Sequence, residues 1–424
     1  MTDLLITGAD LAGAGRGDLL IRDGRFADPS DAGSDLTRID ADGLVALPGL
    51  VDLHTHLREP GREDAETVSS GTEAAARGGF TAVLAMANTN PVTDTAEAAA
   101  HVAALGVRDG FAQVVPVGAV SKGLDGVELA ELGLMARSAV GVRVFSDDGH
   151  CVADARLMRR ALEYVRAFDG VIAQHAQDPQ LAGKQACCHE GEVSGLLGLP
   201  GWPAAAESTI VARDVQLAAL TKSRLHVCHV STAETVDVIR WAKQRGIDVT
   251  AEVAPHHLLL TTDEVRGYDP TYKVNPPLRP DDHVESLRAA LADGTIDAVA
   301  TDHAPHARHD KEHAFAEAAF GMLGLETALA VVLETMVNPA RLTWSDVAVR
   351  MSTAPARIAR LPGQGRGLAI GEPANVTLVD PAARSVVDRA TSASLSRNNP
   401  WHGRDLPDPV VATVWAGRIT YQRP

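Results

Sequence analysis

Residues 48–61 read Pro-Gly-Leu-Val-Asp-Leu-His-Thr-His-Leu-Arg-Glu-Pro-Gly. A short apolar run follows a Pro-Gly break, the pattern of a buried parallel strand, and alternation along that strand points His54 and His56 to the same side. Two imidazoles at one strand mouth can grip one metal ion. On its own a His-x-His pair serves a hydrogen-bonded core or surface as readily as a metal, so the rest of the chain must decide.

Working outward, further β-branched runs recur and end in polar residues. They are TAVLAMAN (81–88), QVVPVGAV (113–120), GVRVF (141–145), VIAQH (171–175), RLHVCHV (224–230), DVTAEVAP (248–255) and DAVATDH (297–303). Between them lie Ala-rich amphipathic stretches such as ETVSSGTEAAARGG, ARLMRRALEYVRAF, STIVARDVQLAALTKS, TAETVDVIRWAKQRG and HVESLRAALADG. Eight strands alternating with crossover helices predict an α/β fold, a (β/α)8 TIM-like barrel over residues 49–361. A doubly wound open sheet is the alternative, but no GxGxxG follows the first strand.

The two ends read differently. Residues 1–48 (DLLITGADL, GDLLIRDGRF) and 362–424 (ANVTLVD, VVATVWAGRIT) carry short alternating runs with Gly and Asp turns, predicting antiparallel β-structure. We expect these segments to pair into one small β-sandwich domain.

Composition bounds the function. The 424 residues are 45% apolar, enough for one large core and a smaller one, and 55 acidic against 39 basic residues give a net charge of −16. No Lys/Arg cluster is present, which argues against nucleic acid or an anionic membrane as partner. A small anionic substrate is compatible, because a few arginines can make a positive pocket within an acidic protein. No signal-peptide pattern and no run near the ~20 apolar residues of a membrane span is seen, so the expected setting is soluble and cytoplasmic. Cys151, Cys187, Cys188 and Cys228 form no CxxC framework and are expected to be reduced thiols.

In the barrel reading, His54, His56, Asn88, Asp148, His175, His229 and Asp302 all fall at the C-terminal ends of strands, where such barrels place their active sites. His226, three positions before His229, faces away and reads as core or as a support beneath the site. His303, next to Asp302, reads the same way. Asp147 reads as a turn residue or a supporting acceptor. Lys273 and Arg279 read as solvated or loop-anchoring residues.

The motifs PGLVDLHTHLREPG, MANTNP, FSDDG, EGEVSGLLGLPGWPAAAE, HVCHVST, APHHLLLT, KVNPPLR, ATDHAPH and AFGMLGLET, in this order, resemble the class I dihydroorotases of the amidohydrolase superfamily. The resemblance implies two zinc ions per chain, with His54, His56 and Asp302 holding one and His175 and His229 the other. Many relatives bridge the metals with a carboxylated lysine on strand four, but residues 141–149 (GVRVFSDDG) contain none. The bacterial subgroup with an aspartate bridge matches, and its spacing of 27 residues to the next histidine assigns Asp148 rather than Asp147.

What the resemblance implies about activity is zinc-dependent, reversible cyclisation of N-carbamoyl-L-aspartate to dihydroorotate in pyrimidine biosynthesis, by attack of a metal-bridged hydroxide on a cyclic amide. Asp302 would shuttle the proton. Arg58, Asn88 and His306 would take the substrate carboxylate, with His56, Asn275 and the backbone at Phe320 and Gly321 also in contact. Ala87 stands where this family usually has proline. The rival readings are dihydropyrimidinase, hydantoinase or allantoinase, against which the missing lysine and Arg58 count, and a non-catalytic partner of aspartate transcarbamoylase, against which the complete ligand set counts. A homodimer is expected, and association with aspartate transcarbamoylase stays open.

Overall fold

The computed structural model describes residues 3–424. Eight short parallel strands form the centre: β1 (Leu50–Thr55), β2 (Phe80–Ala85), β3 (Gln113–Pro116), β4 (Val144–Phe145), β5 (Val171–Gln174), β6 (Arg224–Val227), β7 (Val249–Val253) and β8 (Ala298–Val299). Hydrogen-bonded ladders join β1 to β2 to β3, and β4 through to β8. Two single parallel bridges close the ring, Gly118 with Phe145 and Thr55 with His303. These strands are the eight apolar runs of the sequence, in order. Every residue of β1 and β2 is buried, as expected where helices cover one face of a parallel sheet and the barrel interior the other.

The crossover helices begin at side-chain caps that the sequence carries. Thr67, Thr95, Asp154 and Thr232 each accept a backbone N–H in the first turn of the helices Val68–Arg77, Ala96–Asp109, Ala155–Val165 and Ala233–Gln244. Caps of this kind contribute about 1 kcal/mol each. They also fix where each loop at the barrel mouth must end.

The chain ends meet in one eight-stranded sheet. Val45–Pro48 pairs antiparallel with Val376–Val379, which pairs with Val410–Trp415 and so with Arg418–Gln422. Leu4, Ile6, Leu19, Ile21, Phe26, Val376, Leu378 and Val414 form its apolar core. The expectation of purely antiparallel structure at the N-terminus needs correction: Asp3–Leu11 pairs parallel with both Leu36–Asp40 and Val45–Pro48. Arg16–Arg22 turns back in a hairpin with Arg25–Ala27, and residues 28–35 then carry the chain over to Leu36–Asp40 on the other side of Asp3–Leu11, the crossover that parallel neighbours require. At the junction Gly49 is forced, since a Cβ there would sit 2.4 Å from the Thr81 side chain.

A C-terminal strap, residues 391–400, lies between the paired strands Arg384–Val386 and Asp405–Pro407 and packs against the barrel mouth. Its Ser394 hydroxyl and Leu395 N–H donate to Glu66, and its Asn398 side chain donates to Ala304 O at 2.9 Å. No helix among the described residues is long and apolar enough to cross a membrane.

Candidate active site

Four imidazoles converge on one carboxylate at the mouth of the barrel. Asp148 Oδ1 lies 3.2 Å from His54 Nε2, 3.3 Å from His175 Nδ1 and 3.2 Å from His229 Nε2, while Oδ2 lies 3.3 Å from His56 Nε2. Asp302 Oδ1 closes the cluster at 3.6 Å from His54 and 3.4 Å from His56. All six residues are buried. Asp148 thus faces two sets of nitrogens at once, and Asp147 does not: its carboxylate accepts from Val120 N, Ser121 N and the Ser121 hydroxyl.

The partners behind each ring decide which nitrogen faces inward. His54 Nδ1 is 2.8 Å from Glu252 Oε1, His56 Nδ1 is 2.9 Å from Asn88 Oδ1, and His175 Nε2 is 3.0 Å from Gln177 Oε1. Each partner oxygen accepts, so each ring donates outward and turns its lone pair toward Asp148. His175 and His229 nitrogens lie 3.0 Å apart, and His54 Nε2 is buried without a hydrogen-bond partner. Lone pairs and carboxylates aimed at one dry spot repel one another unless a cation sits among them. Donor atoms of His54, His56 and Asp148, and separately of Asp148, His175 and His229, lie within 4.8 Å of one another, which suits two ions sharing Asp148. This donor set fits a pair of divalent metals.

Backbone geometry marks the same place. Arg58, His229 and Asp302 have φ of 60°, 32° and 48°, a region that costs a non-glycine residue of order 1–3 kcal/mol and that collects at functional sites. Burial alone would raise the Asp302 carboxyl, but the neighbouring His56, His54 and His229 hold it below the usual range. It is a carboxylate.

Arg58 is half-buried at the rim and pairs with no carboxylate. Its Nε donates to Pro305 O at 3.0 Å, and its Nη2 lies 3.4 Å from His306 Nε2. Burial and the neighbouring Arg62 push its pKa down to about 10, so it stays a cation. His306 is pushed down to about 3 by burial and by Arg58, and its Nε2 donates to Phe320 O at 2.6 Å. Asn275 Nδ2 donates to Gln177 Oε1 at 2.8 Å, the same oxygen that holds His175.

His226 Nε2 lies 3.0 Å from Glu252 Oε2, so it supports His54 from below, and His303 Nε2 lies 3.2 Å from Glu66. Lys273 and Arg279 are buried, which overturns the solvated alternative: Lys273 Nζ donates to Ala316 O at 2.8 Å, and Arg279 Nε donates to Ser231 Oγ at 3.1 Å. All four cysteines are free thiols. Glu252, Gln177, Lys311 and Asn398 were not read as site residues from sequence. Glu252 alone carried a signal, an acid inside the apolar run DVTAEVAP.

A family described as dihydro-orotase-like matches residues 43–235. Dihydroorotase of Streptomyces coelicolor is 58% identical over 425 residues, covering 99% of this chain and 98% of that protein. The chain belongs to the dihydroorotase family. The Mycobacterium tuberculosis dihydroorotase is 54% identical over 424 residues, 98% of each chain. Among solved structures, the L-hydantoinase (dihydropyrimidinase) of Arthrobacter aurescens superimposes with a TM-score of 0.86 at 26% identity, covering 100% of this chain and 96% of that one. A Brevibacillus agri dihydropyrimidinase gives a TM-score of 0.86 at 22% identity over 99% and 95% of the chains, a likeness of fold. Dihydroorotases and hydantoinases share this barrel, so it is the site that separates them.

Proposed function

We propose that this dihydroorotase-family chain interconverts N-carbamoyl-L-aspartate and dihydroorotate, using two zinc ions held by His54, His56, Asp148, His175, His229 and Asp302. The observation that carries the reading is the carboxylate at the centre of four inward-facing imidazoles, with a guanidinium lacking a counter-charge at its rim. Zinc held there would supply Lewis acidity, lowering the pKa of water and polarising an amide carbonyl.

The chain's own residues do the rest. Arg58 donates to the substrate carboxylate, and His306, 3.4 Å from Arg58 Nη2 and with its Nε2–H given to Phe320 O, lines the same end of the pocket. Asn275 and the backbone at Phe320 and Gly321 bracket the ring. Asn88 works through His56, whose tautomer it fixes, as well as through its own amide. Asp302 takes the proton released as water adds to the carbonyl and delivers it to the ring nitrogen as the C–N bond breaks, since an amide anion is a poor leaving group. Its Oδ1 faces the two histidines, which leaves Oδ2 for the proton.

We further take residues 1–48 and 362–424 as one β-sandwich domain beside the barrel of 49–361. A cytoplasmic homodimer is the proposed setting, and co-elution with aspartate transcarbamoylase from a sizing column tests the association. For the activity, N-carbamoyl-L-aspartate given to zinc-loaded protein should yield dihydroorotate, and the reverse should run at higher pH. Absence of both in protein that retains its metal ends this reading.

A further inference from the structure

Lys311 ends the short helix Arg308–Lys311 and is buried. Its Nζ donates to three backbone carbonyls, Ala319 O at 2.8 Å, Gly321 O at 3.1 Å and Lys273 O at 3.3 Å. None of these partners is a carboxylate. The carbonyl between, Phe320 O, is taken by His306, and Asn398 Nδ2 adds a second bond to Gly321 O at 3.1 Å. Gly321 N–H in turn donates to Lys273 O at 2.9 Å. All three carbonyls of 319–321 are therefore held, two of them by a single nitrogen.

An ammonium is the one side-chain group with three N–H donors on one atom, which is what three converging carbonyls require. Burying it without a counter-charge is unfavourable, and burial with the nearby charge of Lys273 pushes its pKa down to about 7. Hydrogen bonds to the charged form work against that fall. A loop that needed only packing would be served by an apolar residue of the same length. The loop has little slack: a Cβ on Gly321 would meet His306 Nε2 at 2.8 Å and Ala304 Cβ at 2.7 Å.

We propose that Lys311 is a positioning residue for the substrate, its ammonium fixing the backbone of 319–321 at the place where the ring of the cyclic amide docks. This rests on the reading above that Phe320 and Gly321 contact the substrate. Lys311 also lines a cavity of about 660 Å³ behind His306, so a truncated side chain there leaves a space that small molecules can reach.

Lys311→Ala in the zinc-loaded enzyme should raise KM for dihydroorotate at least about tenfold while kcat changes by less than about threefold. Propylammonium should restore KM, and 1-propanol, which fills the same space without the charge, should not. Amide hydrogen exchange at 319–321 should quicken in the variant and slow again with propylammonium. Lys311→Met keeps the stem and provides the same readouts if the alanine variant fails to fold. Unchanged KM and exchange, or equal rescue by the alcohol, overturns the proposal. A wild-type protein inactive on dihydroorotate would instead sink the functional reading, and the exchange measurement would still judge Lys311.

Discussion

Glu252 joins two histidines that the chain sets on different strands: its Oε1 lies 2.8 Å from His54 Nδ1, and its Oε2 lies 3.0 Å from His226 Nε2. Because a carboxylate only accepts, the His54 proton sits on Nδ1 and the lone pair on Nε2 is presented to the candidate metal site. Burial raises the Glu252 carboxyl, but both histidines outweigh it and bring it down to about 2. Glu252→Gln should lower zinc affinity by about 10- to 100-fold, read by competition with a chelator. An unchanged affinity would mean that the tautomer is fixed by something else.

Asp148 and Asp147 are neighbours whose carboxylates face different partners, four imidazoles and the backbone of 120–121. Asp148→Ala should lose at least one zinc together with nearly all activity. Asp147→Ala should keep its metal and lose stability instead, because Val120 N and Ser121 N each lose their acceptor. Metal analysis of both variants checks this, and the reverse pattern would move the bridge to Asp147.

Asp302→Asn should slow ring opening and ring closure by a similar factor, at least about a hundredfold, since the group that moves a proton one way must move it the other. Rates are to be measured in both directions on protein of verified metal content. If either direction stays near the wild-type rate, Asp302 is not the shuttle.

Much of this was legible in the sequence because barrel strands are short and two-sided in their demands. An apolar run such as LVDLH can end only where its polar residues reach the mouth, so His54, His56, His175, His229 and Asp302 were placed by strand ends alone. The residues behind them were not. Glu252 meets His54 across the barrel interior, between strands β7 and β1, which are not neighbours, and no local pattern encodes that meeting. Lys311 ends a short helix and Asn398 lies in the terminal strap, and no strand or helix periodicity encodes their meeting at Gly321 O. The parallel pairing of Asp3–Leu11 escaped for a related reason, since alternation fixes which face is buried and not which strand lies alongside.

Acid should loosen the strap. Burial would raise the Glu66 carboxyl, but its bond to His303, the His303 charge and the hydroxyls of Ser394 and Ser70 keep it below its ordinary value. A depressed carboxylate lends stability that is complete above the ordinary range and is lost as pH falls through the folded value. Hydrogen exchange at 394–398 should therefore quicken only once pH drops below the ordinary glutamate range, and Glu66→Gln should show the faster exchange already at neutral pH. Exchange that is indifferent to both changes would separate Glu66 from the strap.

The most direct test of the whole account compares dihydroorotate with dihydrouracil, which lacks the carboxylate. A rim cation left without its partner costs about 3 kcal/mol, so wild-type kcat/KM should favour dihydroorotate by at least about a hundredfold. Arg58→Met should erase most of that preference by weakening the reaction with dihydroorotate, with zinc content intact. Wild-type protein that hydrolyses dihydrouracil or hydantoin as well as dihydroorotate would contradict the account and make the chain a hydantoinase-like enzyme.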